Sequence, residues 1–365
     1  VAKRKSRKFW GERNNKIEIG EPTEEKEKGI VMKFKHGILI CALLVLSACG
    51  SSQAPTDLSS SGSNGSIVDE PTPIPTPSPT VSASTVSSGK KTVVSGGLER
   101  EYILHLPPNY DGSKPLPLVM IFHGGGGTDE AMIHSTQMNA KADQENFLVA
   151  YMQATTSSNG GGINTWNTHL YPYPGITADD DAYTLDVINQ LKSHLNVDSK
   201  RIYAAGFSNG AMMTYRLAAE YPDIFAAVAV AEGTIALRQA DNVTWASIPD
   251  AQGPIPVLIM HGFHDETIPY EGGQGAIMYA KSVQDALDFW TAANADHCTD
   301  SPNLPFWPST VNVQIGDYTA CANGSEVKLI GIGTGTHQWP MLENNAQFDG
   351  TSAAWDFFSQ HSKAD

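Results

Sequence analysis

The sequence predicts an α/β protein with a mostly parallel central sheet flanked by helices, and three features of residues 90–365 carry that expectation. Short apolar runs of strand length recur through the region, helical stretches fall between them, and most of the runs are apolar at nearly every position. Strand–helix alternation is the mark of a parallel sheet. Strands apolar on both faces are those that helices cover on both sides.

Taken in order, residues 99–107 (EREYILHLP) alternate apolar and polar side chains, as an edge or hairpin strand does. Residues 117–122 (PLVMIF), 147–152 (FLVAYM), 201–205 (RIYAA), 225–231 (FAAVAVA), 256–260 (PVLIM) and 327–332 (VKLIGI) are apolar runs predicted as strands of the sheet interior. Helices are predicted over 181–195 and 209–221, the second stopped by Pro222. No internal repeat and no second domain interrupts the region. Ligands of such sheets bind beyond the carboxyl ends of the strands, so residues just after strands are the ones to read for chemistry.

The N-terminal third is of another kind. Residues 32–48 open with Lys33 and Lys35, continue as an apolar run and end in Leu46-Ser47-Ala48 before Cys49. That is an export signal, too short to span a bilayer as a helix. Its end resembles a bacterial lipoprotein signal with Cys49 as the lipidated residue, which implies a membrane contact through an N-terminal lipid anchor. Residues 1–31 are charged and aperiodic. Glu25-Lys26-Glu27-Lys28-Gly29 needs purine-rich codons, as a translated ribosome-binding site would, so Met32 is the expected start and 1–31 a mis-called extension. Residues 49–89 are rich in Ser, Thr, Pro and Gly and read as an extended, disordered tether to a domain at 90–365.

Charge and cysteine use agree with export. From Cys49 onward, 13 Lys and Arg face 33 Asp and Glu, a formal charge of −20. So acidic a surface repels nucleic acid and anionic lipid, and no nucleic-acid partner is expected. With Cys41 in the signal and Cys49 acylated, Cys298 and Cys321 remain. An oxidising compartment permits one pairing between them, two separate buried thiols being the other reading.

Ser208 stands in the spacing G-x-S-x-G, between strand 201–205 and helix 209–221. A serine there either caps the helix or projects its hydroxyl as a nucleophile from a tight turn. The strand–turn–helix context, with Gly206 and Gly210 where strand and helix cross, favours the nucleophile. A hydroxyl needs a base, and the base an orienting acid. Asp265 follows strand 256–260 and His337 follows strand 327–332, in the Ser–acid–His order of the α/β-hydrolase fold. His261 and His264 precede or adjoin the acid and fit that order poorly. Asp179, Asp180 and Asp181 open a helix, where carboxylates serve as caps. His123 and Gly124–Gly127 end strand 117–122, and such glycines expose N–H groups to a developing oxyanion. The N–H of Asn209 would be the second donor. No metal-ligand spacing or phosphate loop appears, so no metal and no cofactor are expected.

The stretches REYILHLPPNY (100–110), PLVMIFHGGGG (117–127), TWN (165–167), DDDAYTLDVI (179–188), the block 196–233, HGFHDETIPYEGG (261–273) and GTHQWP (335–340) resemble a known group. It is the secreted polyhydroxybutyrate depolymerase-like esterases, which include feruloyl and acetylxylan esterases. The resemblance covers nearly all of residues 90–360. It implies a triad of Ser208, Asp265 and His337, oxyanion donors at Asn209 and at Gly124 or Gly125, and an ester substrate, either a polyester oligomer or a plant cell-wall ester. The family also tends to carry a cysteine before its last strand, in keeping with pairing of Cys298 and Cys321. The chain departs from the family at YMQATTS (151–157), where Tyr-Pro-Asp-Gly is usual, so specificity does not carry over. Trp166, Tyr270 and Trp339 are candidate walls of an acyl site, with core or rim packing as the other reading. A serine peptidase of the same fold and an inactive surface-binding lipoprotein are the competing classes, and the complete Ser–Asp–His set speaks against the second.

Overall fold

A hairpin whose turn dictates its register opens the sheet. β1 (Gly89–Ser95) and β2 (Leu98–His105) are joined by Gly96 and Gly97, both left-handed at φ +57° and +79°. This is the backbone of a type I′ turn, which glycine adopts without strain. The computed structural model describes residues 86–157, 162–170, 175–294, 298, 313–319, 321–344 and 348–364, all within the unit Ile74–Asp365. The expected signal segment, Cys49 and the tether up to residue 85 lie outside the described residues.

Along the chain follow β3 (Leu116–Phe122), α1 (Asp129–Thr136), α2 (Met138–Glu145), β4 (Leu148–Met152), α3 (Asp180–His194) and β5 (Val197–Phe207). Next come α4 (Asn209–Glu220), β6 (Ala227–Ala231), β7 (Ala236–Arg238), β8 (Trp245–Ser247), β9 (Val257–Gly262), β10 (Gly273–Gln274) and β11 (Tyr279–Ala280). The last are α5 (Val283–Ala293), β12 (Val313–Tyr318), β13 (Val327–Ile332) and α6 (Gly350–Phe358). Nine strands form one sheet in the order β1-β2-β4-β3-β5-β6-β9-β13-β12. Neighbours from β4 through β13 run parallel, and the antiparallel pairs lie at the two edges. A second sheet, β10-β11-β7-β8, grows from the segments after β6 and β9.

The pleat sends alternate side chains to opposite faces. Leu118, Met120 and Phe122 of β3 join the core under α3, α4 and α5. Val119 and Ile121 join the core under α1, α2 and α6. Burial on both faces is why these strands read as unbroken apolar runs. Cys298 and Cys321 are joined in a disulfide.

Helix starts follow local chemistry. Thr128, Asp179 and Asp349 each accept a backbone N–H of the first turn, and Ser282 with Asp285 forms a capping box. Ser208 at the start of α4 is different, since its side chain makes no capping bond. Its turn is set by close passage of strand and helix. A Cβ on Gly206 would sit 2.2 Å from the Gly210 carbonyl oxygen, and one on Gly210 would sit 2.2 Å from that of Phe122. Gly206→Ala and Gly210→Ala are therefore each expected to cost roughly 3 kcal/mol or more, read as a lower melting temperature. Gly253→Ala, whose Cβ would meet nothing nearer than 3.5 Å, is the control. Equal melting of all three variants would refute the crossing constraint.

Candidate active site

Ser208 sits at φ +55° and ψ −118°, a backbone that non-glycine residues rarely adopt. It is held there by its N–H on the Ala231 carbonyl (2.9 Å) and by Met212 N–H on its own carbonyl (3.0 Å). The hydroxyl, free of capping duty, lies 2.9 Å from Nε2 of His337. Nδ1 of His337 lies 2.7 Å from Oδ2 of Asp265. Residues distant in sequence meet here because the loops after β9 and β13 touch at two glycines. A Cβ on Gly262 would lie 2.3 Å from the Gly335 carbonyl carbon, and His264 N–H donates to Gly335 O (2.9 Å).

Asp265 is buried and accepts N–H bonds on Oδ1 from Thr267 (2.8 Å) and Ile268 (2.9 Å). Burial alone would raise its pKa. Hydrogen bonds from His261 and His337 outweigh that and hold the carboxyl well below the usual carboxylate range. A hydroxyl bonded to an imidazole that is itself bonded to an anion can lose its proton to that imidazole.

The glycine loop after β3 lies against the same turn. An ideal Cβ on Gly124 would be 3.2 Å from the Ser208 Cβ, and one on Gly125 would be 3.7 Å from the Asn209 Cβ. Gly126 and Gly127 spend their N–H groups on Asn164 O and Gly124 O. Among the described residues, no acceptor is bonded to the N–H of Gly124, Gly125 or Asn209. At the opposite end of the sheet, by the amino ends of β6, β9 and β13, a cavity of about 530 Å³ is lined by Asp223, Pro256, Ser325 and His361 among others. It is remote from this chemistry.

Residues 100–250 match the family model described as "Esterase PHB depolymerase". Over 264 residues the chain is 27% identical to a bifunctional acetylxylan esterase/xylanase of Neocallimastix patriciarum, covering 72% of this chain and 34% of that protein. It is 28% identical over 269 residues to feruloyl esterase B of Piromyces equi, covering 72% and 45%. The chain thus spans less than half the length of these two relatives. The crystal structure of native pOPH superposes with a TM-score of 0.52 at 16% identity, covering 76% of this chain and 89% of that one. The fold is an α/β-hydrolase fold.

Of the three candidate walls, the structure buries two in the core. Trp166 is 1% exposed, and its Nε1–H donates to the His123 carbonyl (2.7 Å). Trp339 is 3% exposed in the core under α6, with Nε1–H on Thr351 Oγ1 (3.0 Å). Neither is an exposed wall; each is a large apolar side chain buried with its one polar atom satisfied. Tyr270 is half-buried, its ring 4.3 Å from that of Phe263. Of the three expected caps, Asp179 caps α3, whereas Asp180 pairs with Arg100 (2.7 Å) and Asp181 with Arg216 (2.8 Å).

The TWN segment is a brace behind the glycine loop. Thr165 Oγ1–H and Trp166 N–H both donate to Asn209 Oδ1 (3.0 and 2.8 Å), and Asn167 N–H donates to Asp180 Oδ2 (2.7 Å). One short stretch thereby ties the starts of α3 and α4 to the loop after β3. His123 and Glu232 are site-supporting residues that the sequence reading did not assign. His123 Nδ1–H donates to Gly124 O (2.7 Å), and its Nε2 accepts from Ala154 N–H (3.1 Å). The partner of His123 on the far side, Gln153, lies in the stretch that departs from the family.

Burial lowers the His123 pKa from 6.5 to about 4, against a smaller opposing effect of the Gly124 bond. Below pH 6.5 the unfolded chain binds a proton that the folded chain refuses until about pH 4, so this residue costs stability as pH falls through that window. His123→Gln is expected to remove that component, roughly 3 kcal/mol at the acid end, in denaturant unfolding at stepped pH. Equal steepness in wild type and variant would rule out a neutral, buried His123.

Proposed function

We propose that the chain is a serine esterase that hydrolyses carboxylic esters through an acyl-enzyme. The observation that carries this reading is the continuous Ser208–His337–Asp265 hydrogen-bond chain, at 2.9 and 2.7 Å, beside the unpaired N–H groups of the glycine loop. His337 Nε2 takes the Ser208 proton as Oγ attacks the ester carbonyl carbon. The oxyanion is held by the N–H of Asn209 and that of Gly124 or Gly125, donors fixed before the charge develops. Collapse breaks the ester C–O bond, and His337 hands its proton to the leaving alcohol. A water then adds to the acyl-enzyme by the same path, releasing the acid and restoring Ser208. Asp265 keeps the His337 tautomer with hydrogen on Nδ1 and stabilises the imidazolium.

The substrate class is an ester of a decorated plant polysaccharide, feruloyl or acetyl, or of a hydroxybutyrate oligomer. The named activities of the two fungal relatives and of the matching family support these choices. Export belongs to the same proposal: residues 32–48 direct the chain out of the cytoplasm, and Cys49 carries the lipid that holds it at a membrane, with 49–89 as tether. A domain so anchored reaches insoluble or polymeric esters that cannot enter a cell.

Assays on p-nitrophenyl butyrate test the mechanism. Ser208→Ala is expected to lose about a thousand-fold or more in kcat with an unchanged melting temperature, and equal activity would sink the proposal. Methyl ferulate, acetylated xylan and 3-hydroxybutyrate oligomers, compared side by side by kcat/KM, identify the acyl group. Activity on none of them would remove the substrate assignment.

A further inference from the structure

Behind Asp265 lies a second carboxyl that the esterase mechanism does not use. Glu232 follows β6 directly and is 1% exposed. Its two oxygens each lie 3.0 Å from the Gly262 N–H. Its Oε2 is 3.4 Å from His261 Nε2, which is itself 3.5 Å from Asp265 Oδ2. All three groups come within 4.8 Å of one another. His261 Nε2–H donates to the Ile268 carbonyl (2.8 Å), so the nitrogen aimed at the two carboxyls carries a proton and is no metal ligand. Glu232 also holds a left-handed backbone at φ +52°, and its N–H is fixed on the Met260 carbonyl (3.0 Å). A non-glycine residue kept in that region costs about 1 kcal/mol or more and persists where its surroundings over-determine it.

The groups facing this carboxyl are His261, Asp265 and, beyond Asp265, His337, with the half-buried Tyr270 against His261. Two adjacent buried carboxyls cannot both ionise at ordinary pH. Asp265 accepts N–H groups from Thr267, Ile268 and His337, with His261 Nε2 a further, longer contact at 3.5 Å; Glu232 has one from the backbone.

We propose that Glu232 is a positioning residue for the triad: held as an uncharged carboxylic acid, it clamps the Gly262 turn and hydrogen-bonds the far side of Asp265, so that Asp265 is the single anion behind His337. This assignment of role rests on the serine-esterase reading above. Burial first, then the neighbouring Asp265 charge, raises the Glu232 carboxyl well above its ordinary range, and the Gly262 N–H opposes this only in part. A carboxyl protonated in the folded chain and ionised in the unfolded one makes stability fall as pH rises above the ordinary carboxyl range.

Glu232→Gln keeps the shape and an N–H donor without an ionisable proton. It is expected to hold kcat within about 3-fold of wild type and to melt progressively higher than wild type between about pH 5 and pH 8. Glu232→Leu removes the clamp and is expected to lower kcat about 10-fold or more with KM unchanged. A melting difference between Gln variant and wild type that does not change with pH would overturn the uncharged acid. So would a 10-fold loss of kcat in the Gln variant, and a folded Leu variant with wild-type kcat would overturn the positioning role. If the Leu variant does not fold, the Gln comparison decides alone. Wild-type protein inactive on every ester would instead remove the esterase reading, while the pH dependence of melting would still report on Glu232.

Discussion

The site depends on how closely α4 passes β5 and the end of β3. Gly206 and Gly210 leave backbone against backbone, where even a methyl group would overlap a carbonyl oxygen. A strand that must become a helix in so little space turns through a left-handed residue, and Ser208 is that residue. Its side chain is thereby lifted away from the first-turn N–H groups that serine normally caps. The same turn leaves the Asn209 N–H at the open end of the helix, unpaired and at its positive pole. The uncapped Ser208 hydroxyl and the Asn209 N–H are thus two results of one steric constraint, and neither could be moved without the other.

Keeping that arrangement rigid needs polar groups placed in the core, and their cost is offset by the bonds they make. Arg100 and Asp180 are both nearly inaccessible, and a buried ion pair is a weak source of stability on its own. Here the guanidinium also donates to Gln153 O and lies 3.9 Å from the centre of the Tyr183 ring, while the second Asp180 oxygen accepts Asn167 N–H. Both Asp180 oxygens are matched, and Nη2 of the guanidinium serves two acceptors, so the contribution of the pair is geometric. It pins the TWN segment, which pins Asn209 and the His123 carbonyl, which fixes the glycine loop against Ser208. A loop of glycines would otherwise lose the preorganisation that makes oxyanion donors effective.

What could be read in the sequence was what local pattern encodes. The central strands were legible because a strand buried on both faces has no polar period, and each predicted run from 117–122 to 327–332 overlaps a strand of the sheet. Ser208, Asp265 and His337 were legible because each follows a strand in one order, and the structure brings their side chains together. The edge strand β12, with its exposed Ile315, has no such signature, and α1 and α2 are short helices rich in polar residues. For Trp166 and Trp339 the sequence leaves acyl-site wall and core packing both open, because an aromatic beside a site looks the same in sequence whether it faces the substrate or braces the loop; the buried Nε1 partner distinguishes the two. Glu232 was invisible for a related reason. Nothing in AEG announces that its carboxyl is buried 30 residues away in sequence from the N–H that holds it.

His123 and Glu232 have one electrostatic consequence in common. Each is a titratable side chain buried beside the reacting groups, and burial favours the uncharged form of both, lowering the imidazole and raising the carboxyl. Asp265 is shifted the other way because, against its burial, the imidazoles of His261 and His337 hydrogen-bond it. The interior around Ser208 therefore presents one anion, placed on the far side of His337 from the hydroxyl. A charge on His123 would lie beside the glycine loop and would bias the carbonyl of Gly124 to which its ring is bonded. A charge on Glu232 would repel Asp265 and pull His261 out of the Ile268 contact. Both would alter the His337 imidazole, which in the proposed mechanism gains and loses a proton in each half-reaction. Desolvation, usually counted as a cost to folding, here sets the protonation states that the proposed chemistry requires. It does so with opposite pH dependences: His123 erodes stability as pH falls from 6.5 towards about 4, and Glu232 as pH rises above the ordinary carboxyl range.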